Sequence, residues 1–206
     1  MQNKKYKIGI LGGTFNPIHN AHIALGKAAY KQFSLDKILV MVSKTPPHKL
    51  NMDIPDAIVR SEMVKLAIAD YDFMEYSDFE LRRTGYIYTS DTLTLLTEQN
   101  PETEYYFILG GDSLEHIRSW HKPEIILQKA VILASGRNSL WGARLDNQIV
   151  CLKQIFPQAD IRKVILEDIS YSSTEIRNAV QQGRDISSMV NKKVYKYIKE
   201  HRIYSI

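Results

Sequence analysis

Residues 6–33, YKIGILGGTFNPIHNAHIALGKAAYKQF, decide the fold. Tyr6 to Leu11 is a short apolar run stopped by Gly12-Gly13, the pattern of a strand buried on both faces. From His19 onward the period changes. Ala21, Leu25, Ala28 and Ala29 fall at i, i+4, i+7 and i+8, one face of a helix ending near Phe33. Strand, glycine turn and helix follow without a linker. The order sets a helix N-terminus, with its unpaired N–H groups and partial positive charge, at the carboxyl end of a strand.

The same alternation continues along the chain. Strands are expected at Ile38–Val42, near Met74, at Tyr105–Leu109, at Ala130–Ala134 and at Val164–Leu166. Helices are expected around Val59, Met63, Leu66 and Ala67, at Asp91–Gln99, at Ile125–Gln128 and at Leu145–Phe156. Two more are expected at Ser173–Gln182, closed by Gly183, and around Val190, Val194, Tyr197 and Ile198. Ser43 to Asp56, with Pro46, Pro47 and Pro55, reads as a loop, as does Gly136 to Gly142. Alternating strands and helices argue for an α/β class with a parallel sheet flanked by helices. No linker, repeat or composition break divides residues 1–206, so one domain is expected.

Composition narrows the function. The 206 residues are 44% hydrophobic and 24% charged, values that set aside disordered and low-complexity classes. Cys151 is the only cysteine, which excludes an internal disulfide and a multi-cysteine metal cage. A reducing, cytoplasmic setting is expected on that count. No apolar run approaches the roughly 18 residues of a membrane span. Twenty-seven basic and 23 acidic residues leave a formal net charge of +4. That excess suits an anionic ligand and is too small to argue for nucleic acid. Neither nucleic acid nor membrane is expected as a partner, and a homo-oligomer is left open.

Two motifs carry candidate chemistry. In the first, Gly12 and Gly13 let backbone approach a ligand, and the helix start favours phosphate. His19 and His22, three residues apart, share a face at that end. An imidazole can donate to a phosphoryl oxygen or, protonated, offset developing charge. Two histidines without a third ligand make a poor zinc site, so no protein metal site is expected. The pattern is neither GxxxxGK[ST] nor GxGxxG, which disfavours a P-loop ATPase and a nicotinamide dehydrogenase. The second motif is Ser172-Ser173-Thr174-Glu175-Ile176-Arg177. Ser172 and Glu175 fit a capping box, and Arg177 adds a permanent charge to a second anion-type helix start. In doubly wound folds such helix starts converge at the carboxyl ends of the strands.

GGTFNPIHNAH resembles the (G)T/SFxPxHxGH signature of the nucleotidylyltransferase superfamily, and SSTEIR resembles its ISSTxIR partner. Thr45-Pro46-Pro47-His48-Lys49 resembles the PPHK loop of the bacterial nicotinate-nucleotide adenylyltransferases. The segment from Glu80 to Leu93 is similar to their ELxRxGxSYTxDTL segment. Ile108 to Leu114, with Trp120-His121 following, is similar to GxDxL…W, and Val194 to Tyr204 to their final helix. Two positions depart from the superfamily pattern: Asn16 stands where Asp is frequent, and Ala21 where Gly precedes the second histidine.

The resemblance implies a Rossmann-like sheet of nucleotidylyltransferase type. It implies transfer of the adenylyl group of ATP to nicotinate mononucleotide, releasing pyrophosphate, with Mg²⁺ carried mainly by the ATP phosphates. His19, His22 and Arg177 would be the catalytic residues. Gly12, Gly13, Thr14, Phe15, Gly110, Asp112, Ser173 and Thr174 would complete the ATP side. His48 and Lys49 would face the mononucleotide phosphate, Trp120 would stack on the pyridine ring, and Thr89 and His121 would supply amide donors to its carboxylate. Asp112 has a second reading, as the N-cap of a helix containing Leu114 and Ile117. The nearest rivals are a transferase acting on the amide nucleotide or another phosphate acceptor, and a non-catalytic nucleotide-binding module. Lys192, Lys193, Lys196 and Lys199 raise an RNA-binding reading but fit a solvated helix face.

Overall fold

The computed structural model describes residues 5–44, 54–136, 139–166 and 171–205, with 139–141 as backbone alone. Six strands form one sheet: β1 (Tyr6–Gly13), β2 (Lys37–Val42), β3 (Met74–Ser77), β4 (Thr103–Gly110), β5 (Val131–Ser135) and β6 (Ile161–Lys163). Their order is β3-β2-β1-β4-β5-β6, and every pair is parallel. The chain leaves β1 toward β2 and β3, then returns to lay β4 against the other side of β1. The ends of β1 and β4 therefore flank the switch point, where doubly wound sheets bind ligands.

Among the described residues eight α-helices cover the sheet: α1 (Asn20–Phe33), α2 (Ala57–Ile68), α3 (Thr89–Gln99), α4 (Gly111–His116), α5 (Pro123–Lys129), α6 (Ser139–Ile155), α7 (Ser173–Gln181) and α8 (Lys192–Glu200). Strand β4 shows how one sheet serves two layers. Tyr106 and Ile108 pack into the core shared with α1, α2, α7 and α8. Tyr105, Phe107 and Leu109, of opposite parity, pack with residues of α3, α4, α5 and α6.

Several boundaries differ from the sequence reading. The last strand is Ile161–Lys163, not Val164–Leu166; Ile161 pairs in register with Ile132, and Val164 only caps the ladder by donating to the Ala134 carbonyl at 2.8 Å. Residues 136–142 are not all loop, because α6 begins at Ser139. In α1 the buried face is Ile23, Leu25, Gly26 and Ala29, with Ala21 and Ala28 at its margins. In α2 the buried face runs through Arg60, Met63, Val64, Ala67 and Ile68 rather than Val59 and Leu66. The expected stripe shares Met63 and Ala67 with the observed one, which has the charged Arg60 at its head and leaves Val59 and Leu66 partly buried at the margin.

Candidate active site

A cavity of about 1050 Å³ opens at the carboxyl ends of β1 and β4. Gly12 and Gly13 end β1 on its wall, but the two glycines serve different needs. A Cβ on Gly13 would lie 3.0 Å from the Phe15 ring, so this position is reserved for protein packing. A Cβ on Gly12 would meet only the Phe107 ring at 3.4 Å, and Gly12 is the glycine exposed to the cavity. Phe15 has φ +49°, an unfavourable left-handed conformation for an aromatic residue, and its ring meets His22 edge-on at 5.1 Å. Asn16 is buried, and its Oδ1 has no hydrogen-bond partner among the described residues.

His19 is the N-cap of α1 and His22 its third residue. Their rings lie 3.8 Å apart at 32°. The His19 N–H donates to His22 Nδ1 at 3.2 Å. An accepting Nδ1 places the proton of a neutral imidazole on Nε2, which makes His22 a donor through that atom. Protonating the ring would set two donors against each other, so of the two forms the sequence leaves open this contact fits the neutral one. The start of α1 also offers fewer amides than expected: Asn20 N donates to Met189 O at 2.9 Å, and His22 N to His19 O at 2.9 Å. Imidazole, more than main chain, is what this helix start presents to the cavity.

The start of α7 keeps its amides. Ser172 and Glu175 form the expected capping box: Glu175 N donates to Ser172 Oγ at 3.3 Å, and Ser172 N to Glu175 Oε2 at 2.6 Å. Ser173 Oγ donates to Pro17 O at 2.9 Å, which fastens α7 to the loop after β1; Ser173 and Thr174 line the cavity at the helix positions whose amides have no intrahelical acceptor. Arg177 divides its fork, donating from Nη1 to Asn16 O at 2.9 Å and from Nη2 to Thr174 Oγ1 at 3.2 Å while lining the cavity.

Thr89, Trp120 and His121 line another part of the same cavity. Thr89 is the first residue of α3. Tyr88, its N-cap, stacks on His121 at 4.2 Å and 29°, and this ring pair joins the start of α3 to the Trp120-His121 segment. Trp120 meets Phe107 edge-on at 6.2 Å. Gly110 and Asp112 also line the cavity, but Gly110 is the N-cap of α4 and Asp112 lies in its first turn, which removes the N-cap reading of Asp112. His48 and Lys49 lie outside the described residues.

The sequence reading missed three residues. Tyr88 passed as part of a motif, and Arg60 was not singled out in the helix around Val59, Met63, Leu66 and Ala67. Glu80 lies on the cavity wall, where Thr92 Oγ1 donates to its Oε1 at 2.9 Å and Arg83 Nη1 donates to Thr92 Oγ1 at 3.0 Å. Burial raises the Glu80 carboxyl above the ordinary Glu value, against the opposing pull of Thr92 and Arg83.

A cytidylyltransferase-like family model matches residues 10–179, the span from β1 into α7 that builds this cavity. The chain belongs to the cytidylyltransferase-like family. Within it, a probable nicotinate-nucleotide adenylyltransferase of Lachnoclostridium phytofermentans is 39% identical over 96% of this chain and 98% of its own length. Another, of Listeria monocytogenes serotype 4a, is 36% identical over 97% and 98%. Among solved structures, a Plasmodium falciparum nicotinic acid mononucleotide adenylyltransferase complexed with NaAD superposes with a TM-score of 0.77 over 97% of each chain. At 20% identity that last likeness speaks for the cytidylyltransferase-like fold alone.

Proposed function

We propose that this family member joins nicotinate mononucleotide to the adenylyl group of ATP, yielding nicotinate adenine dinucleotide and pyrophosphate, a step of NAD biosynthesis. It is an adenylyltransferase acting on the acid nucleotide. The observation that carries the reading is the convergence of two imidazoles, one arginine and the α7 amides on a cavity that also holds Thr89 and Trp120. Near full-length relatives named for this reaction support it.

The acceptor phosphate attacks the α-phosphorus of ATP. A P–O bond forms to the mononucleotide, and the α–β bridging P–O bond breaks with its electron pair leaving on pyrophosphate. The nucleophile is already an anion, so no side chain need remove a proton. The protein has to bring two anions together and stabilise the equatorial oxygens. His22 donates from Nε2 to those oxygens, with His19 beside it. Arg177 and the amides of Ser173 and Thr174 hold the triphosphate and then the leaving pyrophosphate. Gly12, Gly13, Thr14, Phe15, Gly110 and Asp112 line the remainder of the nucleotide side. Trp120 stacks on the pyridine ring, and donors at Thr89 and His121 receive its carboxylate.

Mg²⁺ would accompany ATP and offset phosphate charge. Among the described residues no cluster of three His, Cys, Asp or Glu is placed to hold a metal ion, so phosphates and water would supply its ligands. Among the same residues no helix is long and apolar enough to cross a membrane. Pyrophosphate release from ATP with a panel of acceptor mononucleotides tests the reading. Turnover with the nicotinate nucleotide is expected, and none would overturn it.

A further inference from the structure

Arg60 lies in α2 with 0% of its surface exposed. Its hydrogen bonds run to three main-chain carbonyls. Nε donates to Pro55 O at 3.0 Å, and Nη1 donates to Thr14 O at 2.7 Å and to Ser43 O at 2.9 Å. Thr14 belongs to the loop after β1, on the nucleotide side. Ser43 follows β2, lines the cavity and bonds from its own N–H to Gly13 O at 2.9 Å. Pro55 leads into α2. One side chain thus ties together the ends of two loops that leave neighbouring strands.

Burying a guanidinium is unfavourable, and an apolar side chain of similar volume would fill the layer without that penalty. Desolvation lowers the pKa of Arg60, with the Tyr204 phenol and the Asp56 carboxylate opposing the shift. Arg60 and Arg177 also act as a pair around Phe15. Arg60 holds the carbonyl before it and Arg177 the carbonyl after it, at 2.7 and 2.9 Å. The left-handed Phe15 between them carries the ring that meets His22. A planar fork with several donors can hold separated carbonyls together, which a single ammonium cannot.

We infer that Arg60 is a positioning residue: it fixes the loop at Thr14 against the end of β2 at Ser43, from which the sequence runs on to the His48 and Lys49 that the resemblance gives to the acceptor phosphate, and so sets the approach of that phosphate to the α-phosphorus. It lies outside the cavity lining and acts through those carbonyls. The inference rests on the adenylyl-transfer reading, because only a reaction between two bound anions needs the two loops held in mutual register.

The test compares Arg60→Gln and Arg60→Lys with Tyr204→Phe, which alters a buried hydroxyl near both arginines without removing a bond to either loop. In the two Arg60 variants, kcat for pyrophosphate release should fall about tenfold or more, while calorimetric Kd values for ATP alone and nicotinate mononucleotide alone stay within roughly threefold. Tyr204→Phe should retain wild-type kcat. Amide exchange in the free variants, read without any turnover, should rise together around residues 13–16 and at 43–44. Should the glutamine variant fail to fold, the lysine variant carries the same readouts with the charge retained. A lowered Tm with kcat per folded enzyme unchanged would reduce Arg60 to a structural role and overturn the inference. Loss of affinity for one substrate alone, or exchange rising in one loop alone, would overturn it as well. Wild-type enzyme inactive on the nicotinate nucleotide, yet with both loops loosened by the Arg60 variants, would count against the reaction and not against the loop-holding role.

Discussion

Ser173 and Arg177 hold one wall of the cavity through the carbonyls of Pro17 and Asn16, at 2.9 Å each, whereas Trp120 and His121, the proposed acceptor wall, meet their neighbours through ring contacts, Tyr88 on His121 at 4.2 Å and Phe107 on Trp120 at 6.2 Å. Hydrogen bonds fix direction as well as distance. In-line displacement at phosphorus needs that directional control. Ring contacts hold planes together but constrain sliding less, which suits recognition of a flat heterocycle. On the proposed reading the first wall would serve the chemistry and the second the recognition of the acceptor, so the two should respond differently to substitution.

The sharpest break should come at His22. His22→Ala removes the Nε2 donor and the acceptor of the His19 N–H, and kcat should fall about a hundredfold or more with the far-ultraviolet circular dichroism unchanged. An unaltered kcat would move the chemistry away from this wall.

A matched pair comes next. Arg177→Ala should weaken ATP binding about tenfold or more, as expected for losing a charge-assisted contact, and leave the acceptor nearly unaffected. Its Tm should also drop, because Asn16 O loses its donor. Trp120→Ala should raise KM for the acceptor about tenfold and spare ATP. Crossed effects in titration calorimetry would show that the walls are not separate.

The acceptor wall can then be probed without mutation. The main-chain donors proposed near Thr89 and His121 would satisfy both oxygens of a carboxylate but oppose the NH₂ of an amide. Each such mismatch costs ~1–3 kcal/mol, so kcat/KM should favour the acid nucleotide over the amide by about tenfold or more. Equal values in side-by-side kinetics would mean that this wall is not donor-only.

The smallest effect concerns Glu80, also on the cavity wall. Its carboxyl is raised from 4.5 in the folded chain, so the folded state holds the proton more tightly than the unfolded state. Stability from this group is present at low pH and declines as pH climbs from 4.5 through the raised value. Gln does not titrate. The Tm of Glu80→Gln relative to wild type should therefore shift upward across that window, by less than about 3 °C, and stay flat above it. A downward shift would mean that Thr92 and Arg83 outweigh burial.

Much of this architecture is written in short-range order. The β1 run, the paired glycines and the helix after His19 are local, and so is the Ser172–Glu175 cap, which formed as its spacing implies. Boundaries suffered where long-range pairing decides them. Strand β6 took Ile161–Lys163 because β5 offers Ile132 as a partner, although the apolar residues cluster later. The start of α1 looked like an amide-rich phosphate site, yet Met189, 169 residues away from Asn20 in sequence, occupies one of its donors.

Local pattern and side-chain chemistry were enough to read an α/β chain with two anion-type helix starts, two imidazoles and an arginine, because strand and helix periods and capping boxes reside within a few residues of one another. Folding alone decided how those groups are employed. It turned His22 into an Nε2 donor by setting its Nδ1 against the His19 N–H, divided Arg177 between Asn16 O and the cavity, and sank Arg60 beneath two loops. A charged side chain takes its role from the partners that surround it, and carbonyls brought together from separate strands leave no periodic trace in the chain that supplies them.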